Sequence, residues 1–201
     1  MRARIVSFER AKRQPSTRSQ LIESGLKLFA QHGVDNVTLS AVAEPVGAYP
    51  NQITHHFGGK DGLFVEAACR GVLRIAKKAE TRTRKSATPE EHTRALVSYL
   101  LGPGAPFVMM FAEAMLIGRR NEKYRELVTQ TLDLLHEAGE AAMVDTYMRT
   151  GWKAHATASA ITRGFWAAIF GLAVEKAATG SAFEHENAEA VVLMMIKINA
   201  P

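Results

Sequence analysis

Residues 38–60 read TLSAVAEPVGAYPNQITHHFGGK, and their spacing decides the fold. Thr38 offers the side-chain oxygen that caps a helix start, and Leu39, Val42, Ala43 and Val46 follow on one face at three- and four-residue intervals. Gly47 supplies the permissive backbone of a tight turn. Pro50 suits the first position of a second helix, where no intrahelical N–H is required. That second helix turns Ile53 and Phe57 inward and carries Asn51, Gln52, Thr54, His55 and His56, all hydrogen-bonding side chains. Two short helices, a glycine turn and a polar second helix make a helix-turn-helix.

In that motif the second helix enters the DNA major groove. Asn51 and Gln52 can pair bidentately with adenine, and Thr54 and His55 add further polar contacts at base edges. The order Val42-Ala43, Gly47, Ile53, His55-His56-Phe57, Gly59-Lys60-Asp61 and Leu63-Phe64 resembles the DNA-binding domain of TetR/AcrR-family transcriptional regulators. Gly25-Leu26, Leu28-Phe29 and His32-Gly33 match the first helix of that family, so the resemblance covers roughly residues 17–66. It implies that Thr38, His56 and Lys60 touch phosphates, contacts that set register and not sequence. Three positions depart from the family pattern. Thr54 stands in place of the usual tyrosine, Tyr49 in place of a Ser or Thr cap, and Pro45 falls in the last turn of the first short helix. Tyr49 cannot make the cap bond locally, so it is expected to meet phosphate or sugar, and Pro50 beside it counts among the expected DNA-binding residues, within an altered recognition surface.

Composition narrows the remaining choices. Apolar residues make up 47% of the 201 and charged ones 22%, as expected of a soluble globular chain. No apolar run is long enough to cross a bilayer, and the N-terminus lacks the continuous apolar segment of a signal peptide. A single cysteine, Cys69, excludes an internal disulfide framework and fits a reducing cytoplasm. Residues 1–60 hold eight Lys/Arg and four acids, which places most of the net +5 beside the helix-turn-helix, where phosphate attraction needs it.

Outward from the motif, residues 1–15 lack helical periodicity and read as a flexible basic arm. A helix from Ser16 or Thr17 to Gly33 buries Leu21, Ile22, Gly25, Leu26 and Phe29, and the helix-turn-helix domain closes near residue 62. A long helix from Lys60 to about Lys85 carries Leu63, Phe64, Ala67, Ala68, Val72, Ile75 and Ala76. At 1.5 Å per residue it spans roughly 35–40 Å, so its second half must be buried in a further domain, residues 63–201. Helices are expected over 88–101, 106–118, 121–150, 154–179 and 187–199, with no strand alternation. The expectation is an all-α chain of about nine helices: a three-helix DNA-binding domain and a C-terminal helical domain for ligand binding and dimerisation.

Small residues at Ala156, Ala160, Gly164, Ala168 and Gly171 would let another helix approach closely, and the last helix offers Val191, Leu193, Met194 and Ile198. Two such helices from each of two subunits would form a four-helix dimer interface, as in the family. The resemblance also implies a cavity for an effector. Its expected lining is Phe107, Met110, Phe111, Met115, Leu132, His136, Met143, Tyr147, Phe165, Trp166, Ile169 and Phe170. These are mostly apolar, so the effector should be a small apolar or aromatic molecule, with Glu113 and His136 as polar outliers that could orient it. The expected partners are a double-stranded DNA operator built as an inverted repeat, that effector, and a second copy of the chain, with no membrane, cofactor or metal. The usual family outcome is repression relieved by ligand. The alternative is a ligand- or thiol-responsive helical binding protein with weakened or non-specific DNA binding. An enzyme is disfavoured: the chain shows no Gly-rich phosphate loop after a strand, no nucleophile elbow and no paired-carboxylate signature.

Overall fold

The computed structural model describes residues 16–196, which form nine α-helices and two short 3₁₀ turns without a strand among the described residues. The basic segment 1–15 and the expected end of the last helix at 197–199 lie outside them. Ser16 accepts from the N–H of Ser19 at 3.3 Å and opens α1 (Thr17–His32), which buries Leu21, Ile22, Leu26 and Phe29 and stops at Gly33. Thr38 accepts from Ala41 N–H at 3.1 Å and opens α2 (Leu39–Ala43). Pro45 ends α2 early, as expected, and Glu44–Val46 completes the turn as a 3₁₀ segment. Gly47, at φ 67°, reverses the chain into α3 (Pro50–Phe57), whose Ile53 and Phe57 close the module's core.

The long α4 (Lys60–Thr83) runs roughly 36 Å and is buried along most of its length. Helices α1, α3, α5, α6 and α7 all pack on it. Two glycines permit the closest approaches. A Cβ at Gly62 would lie 2.0 Å from the Phe57 carbonyl, and one at Gly71 would lie 2.8 Å from Leu26 and 3.1 Å from Phe107. Ion pairs tie α1 to the same helix: Arg18 with Glu66 at 2.5 Å, and Glu23 with Arg74 at 2.5 Å and Arg70 at 3.2 Å. These side chains are largely solvent-facing, so each pair contributes at most about 1 kcal/mol, and together they fix the crossing of the two helices.

The rest of the described chain is α5 (Pro89–Leu101), α6 (Ala105–Arg120), α7 (Glu122–Thr150), α8 (Ala158–Thr179) and α9 (His185–Met195), with a 3₁₀ turn at Gly180–Ala182 before α9. The start of α8 falls four residues later than its apolar pattern predicts. Thr157 accepts from Ala160 N–H at 3.2 Å and caps the helix, which leaves Gly151–Thr157 as a loop. Ala156 therefore lies outside the helix on which its spacing had placed it. One continuous apolar core joins the helix-turn-helix to the C-terminal helices, and among the described residues no single helix is long and apolar enough to cross a membrane.

Gly62→Ala should destabilise the chain by at least about 2 kcal/mol, because the added methyl meets a backbone carbonyl that cannot rotate away. Urea unfolding of the parent and variant checks this, and an unchanged midpoint would show that α3 and α4 are free to separate.

Candidate nucleic-acid interface and ligand cavity

The outer face of α3 is built by its own helical spacing. Ile53 and Phe57 hold the helix down, and Tyr49, Pro50, Asn51, Thr54 and His55 are all exposed on the other side. Tyr49 is 73% exposed, a large aromatic surface at the start of the helix. Its phenol takes no part in capping. The side chain of Gln52 does that work, accepting from the N–H of Tyr49 at 2.9 Å. A residue expected to read bases thus has its amide oxygen engaged in holding the helix start, while Asn51 and His55 are exposed. His56 is half-buried, with its ring 6.0 Å from that of Phe57. Thr38 is exposed with its hydroxyl oxygen occupied by the α2 cap, and Lys60 donates from Nζ to the Asp35 carbonyl at 3.3 Å. Of the nine predicted interface residues, Thr38, Gln52 and Lys60 make structural hydrogen bonds of their own.

This module touches the C-terminal helices at points other than α4. Leu116, Ile117 and Glu113 of α6 lie against Gly33–Asn36, and burial together with Asp35 pushes the Glu113 carboxyl above its ordinary range. Lys123 and Tyr124, at the start of α7, reach Gly58 and Gly62. Glu113, expected to orient a ligand, instead belongs to this contact between the two parts of the chain.

A cavity of about 540 Å³ opens among α4, α5, α7 and α8. Leu73, Ala76, Leu96, Leu100, Leu135 and Ile196 are among its apolar walls, and Trp152 enters from the Gly151–Thr157 loop. Glu80, His92, Thr93, Asp145, Thr146 and Thr162 supply polar groups, with Lys77 and Arg84 exposed at the solvent side. Of the twelve residues expected to line a cavity, Met143, Phe165 and Trp166 do so. Met110, Phe111 and Ile169 are instead core, and Phe107 packs near Gly71. Phe170 stacks on Trp166 at 5.5 Å and lies 5.7 Å from Phe111, which places it behind the wall. Met115 and Leu132 are partly buried against the core and Tyr147 packs on Trp152 at 5.0 Å, none of them on the cavity surface. His136 also faces away from it; its Nδ1 has no hydrogen-bond partner, and burial beside Arg163 lowers its pKa. The reason for the shift is register: the apolar run of α6 fills the centre of the bundle, and the open space lies one helix further out.

Sequence reasoning missed Glu80, His92, Trp152 and Thr162. A signal did exist for two of them. His92, Leu96 and Leu100 repeat every four residues on α5, and Leu73, Ala76 and Glu80 share one face of α4, so each polar residue ends an apolar stripe. Cys69 is 4% exposed, and burial pushes its thiol up to about 11, which holds it protonated and poorly reactive.

Comparison with known proteins agrees with this geometry. Residues 21–67 match the family model for bacterial regulatory proteins of the tetR family, and residues 89–195 match the bacterial transcriptional repressor C-terminal model. The chain is 37% identical over 86 residues to the HTH-type transcriptional regulator BetI 1 of Chromohalobacter salexigens, a match that spans 42% of each chain. A solved transcriptional regulator from Rhodococcus sp. RHA1 superposes with a TM-score of 0.82 at 41% identity, over 90% of this chain and 95% of that one. A Saccharomonospora viridis regulator solved in complex with choline has a TM-score of 0.69 at 20% identity, over 92% and 98% of the two chains.

Two outcomes follow from the geometry. Gln52→Ala should lower stability by about 1 kcal/mol through loss of the cap, whereas Asn51→Ala should stay within about 0.5 kcal/mol; thermal melts of the two variants separate them. Cys69 in the folded chain should resist iodoacetamide at pH 8 and react readily once urea exposes it, as mass spectrometry would show; rapid labelling of the native protein would contradict its burial.

Proposed function

The chain belongs to the TetR family of bacterial transcriptional regulators, and on that premise we propose that it is a dimeric repressor, released from its operator by a small, largely apolar molecule. The observation that carries the proposal is the course of α4. Lys60 at its start borders the exposed face of α3, and Leu73, Ala76 and Glu80 near its other end line the cavity. A ligand that changes how α4 packs on α5 and α7 would move the recognition helix with it. Such coupling requires the ligand to bind one of two packings better than the other.

At the DNA, Asn51, Thr54 and His55 would read base edges from the exposed face, with Tyr49 and Pro50 against sugar and phosphate and Thr38, His56 and Lys60 on phosphates. Gln52 would combine its cap with a contact from its free amide N–H₂. One eight-residue helix reads few base pairs, so a two-fold pair is needed, with half-sites about 34–36 Å apart. The face that would make that pair is Ala160, Ala167, Gly171 and Val174 of α8 with Val191 and Met194 of α9, all exposed. Gly164, expected in that stripe, is covered within the chain: a Cβ there would meet Met195 at 3.2 Å. The domain division at residue 62 is adopted on the same reading, with α4 shared between the two parts. The Saccharomonospora viridis regulator, which shares the fold, was solved with choline bound, which supports the use of such a fold to hold a small molecule.

Selection of bound fragments from a random DNA pool at near-physiological salt should enrich an inverted repeat. DNA recovered without a common sequence and lost as salt rises would leave only phosphate attraction and overturn the reading. With the selected operator, Asn51→Ala should relax preference at one base pair, costing about 1–3 kcal/mol there. Lys60→Ala should weaken every sequence alike and flatten the salt dependence by close to one phosphate contact.

A further inference from the structure

Two acceptors face each other on the cavity wall. His92 of α5 is 6% exposed, and its Nδ1 lies 3.1 Å from the carbonyl oxygen of Thr83. A carbonyl only accepts, so Nδ1 carries the proton, and in the neutral ring Nε2 is left as a bare acceptor. Nε2 lies 3.7 Å from Oε2 of Glu80, beyond hydrogen-bond range. No described side chain donates to that carboxylate within hydrogen-bond range, and both residues line the cavity. A buried imidazole nitrogen and a carboxylate that is one-third exposed thus face each other with no described donor between them, an arrangement that a bound donor would satisfy.

A third helix adds a separate observation. The hydroxyl of Thr162 on α8 has no hydrogen-bond partner among the described residues, although the residue is 3% exposed. Thr81, Thr83, Thr131, Thr146, Thr150 and Thr179 each return their hydroxyl to the carbonyl four residues back. Thr162 does not; its γ-methyl sits against Gly139, where an added Cβ would lie only 2.5 Å away. Phe165, Trp166 and Trp152 complete the same cavity with flat apolar surface.

We infer that the effector is an aromatic or otherwise flat apolar molecule with a hydrogen-bond-donating head, a hydroxyl or an amine, which seats between Nε2 of His92 and the carboxylate of Glu80. The inference rests on the cavity being the effector site. A primary amine can give one hydrogen to each acceptor, a hydroxyl gives its single hydrogen to one of them, and the hydroxyl of Thr162 is a second group able to meet a polar substituent. A carboxylate head would meet Glu80 and Asp145 as like charges. Of the two cations beside them, Arg84 is directed to Asp145 at 3.8 Å and Lys77 is exposed.

The test is calorimetric titration of the full chain with four probes of one shape: naphthol, naphthylamine, methylnaphthalene and naphthoic acid. Naphthol and naphthylamine should bind the parent at least about tenfold more tightly than methylnaphthalene. Glu80→Leu should erase that preference while methylnaphthalene still binds. Glu80→Gln keeps the shape, offers its own N–H to His92 and leaves only a neutral amide oxygen to accept, so it should weaken the preference, and it guards against a leucine variant that fails to fold. Equal binding of all four probes, as a cationic His92 already paired with Glu80 would give, overturns the inference and leaves the apolar cavity standing. Tightest binding of naphthoic acid does the same. Binding of none of the four overturns both this inference and the reading of the cavity as an effector site.

Discussion

The structure depends on the burial of one face of α4 along most of its length. A helix of 24 residues is exposed on most sides if it stands alone, yet Leu63, Phe64, Val65, Ala67, Ala68 and Val72 are all fully covered. That is possible only because α1 and α3 pack on it together with the C-terminal helices α5, α6 and α7. Gly62 and Gly71 remove the side chains that would hold α3, α1 and α6 away. Leu26 of α1 and Phe107 of α6 both approach Gly71, so the helix-turn-helix module and the C-terminal helices meet at one residue of α4. The close packing of such interiors makes them bistable and not continuously deformable. A change in the packing on α4 therefore has few ways to relax without displacing α3.

The contacts that fix the DNA-facing module are of two strengths. Its apolar core, including Leu21, Ile22, Val42, Ile53 and Phe57, is close to fully buried, while the Glu23, Arg70 and Arg74 cluster is partly in water. The pairing with Arg74 holds the Glu23 carboxyl below its ordinary range, opposed by partial burial. Its contribution to stability is present above the unfolded carboxyl range and is lost as pH falls through the lowered value. Partly exposed pairs contribute little free energy. Their effect is on angle: they set how α1 crosses α4, and so the orientation of the module that α1 carries.

Much of this was readable in the sequence, and the division follows the range of the interactions. The helix-turn-helix is encoded locally. Thr38, Gly47, Pro50 and Gly58 mark its boundaries, and Ile53 and Phe57 mark its inner face, so spacing alone located it. Gln52 shows where local reading stops, because a side chain assigned to bases by its chemistry is drawn back to the N–H of Tyr49 once the cap lacks a Ser or Thr. The cavity was less legible. The dense apolar run of α6 has the composition of a pocket wall and of a core alike, and only the packing of α7 and α8 around it decides between them. His92 and Glu80 sit twelve residues apart on separate helices, and nothing in their spacing announces that they meet.

Their meeting bears on how a ligand could act. Glu80 lies twenty residues after Lys60 on the same helix, about 30 Å along its axis. His92 is on α5, and through the Thr83 carbonyl it is bonded to the last turn of α4. A molecule held between these two groups would brace the far end of α4 against α5, while Phe165 and Trp166 would brace it against α8. The near end of that helix is already fixed against α3 by the close approach at Gly62. A small rotation imposed at one end of a rigid rod becomes a larger displacement at the other. For the proposed repressor this means that the polar head of the effector, more than its apolar bulk, would favour one packing of α4 over the other. Apolar matter fills the cavity in either packing, whereas a pair of hydrogen bonds spanning 3.7 Å holds only when α4 and α5 keep their present spacing.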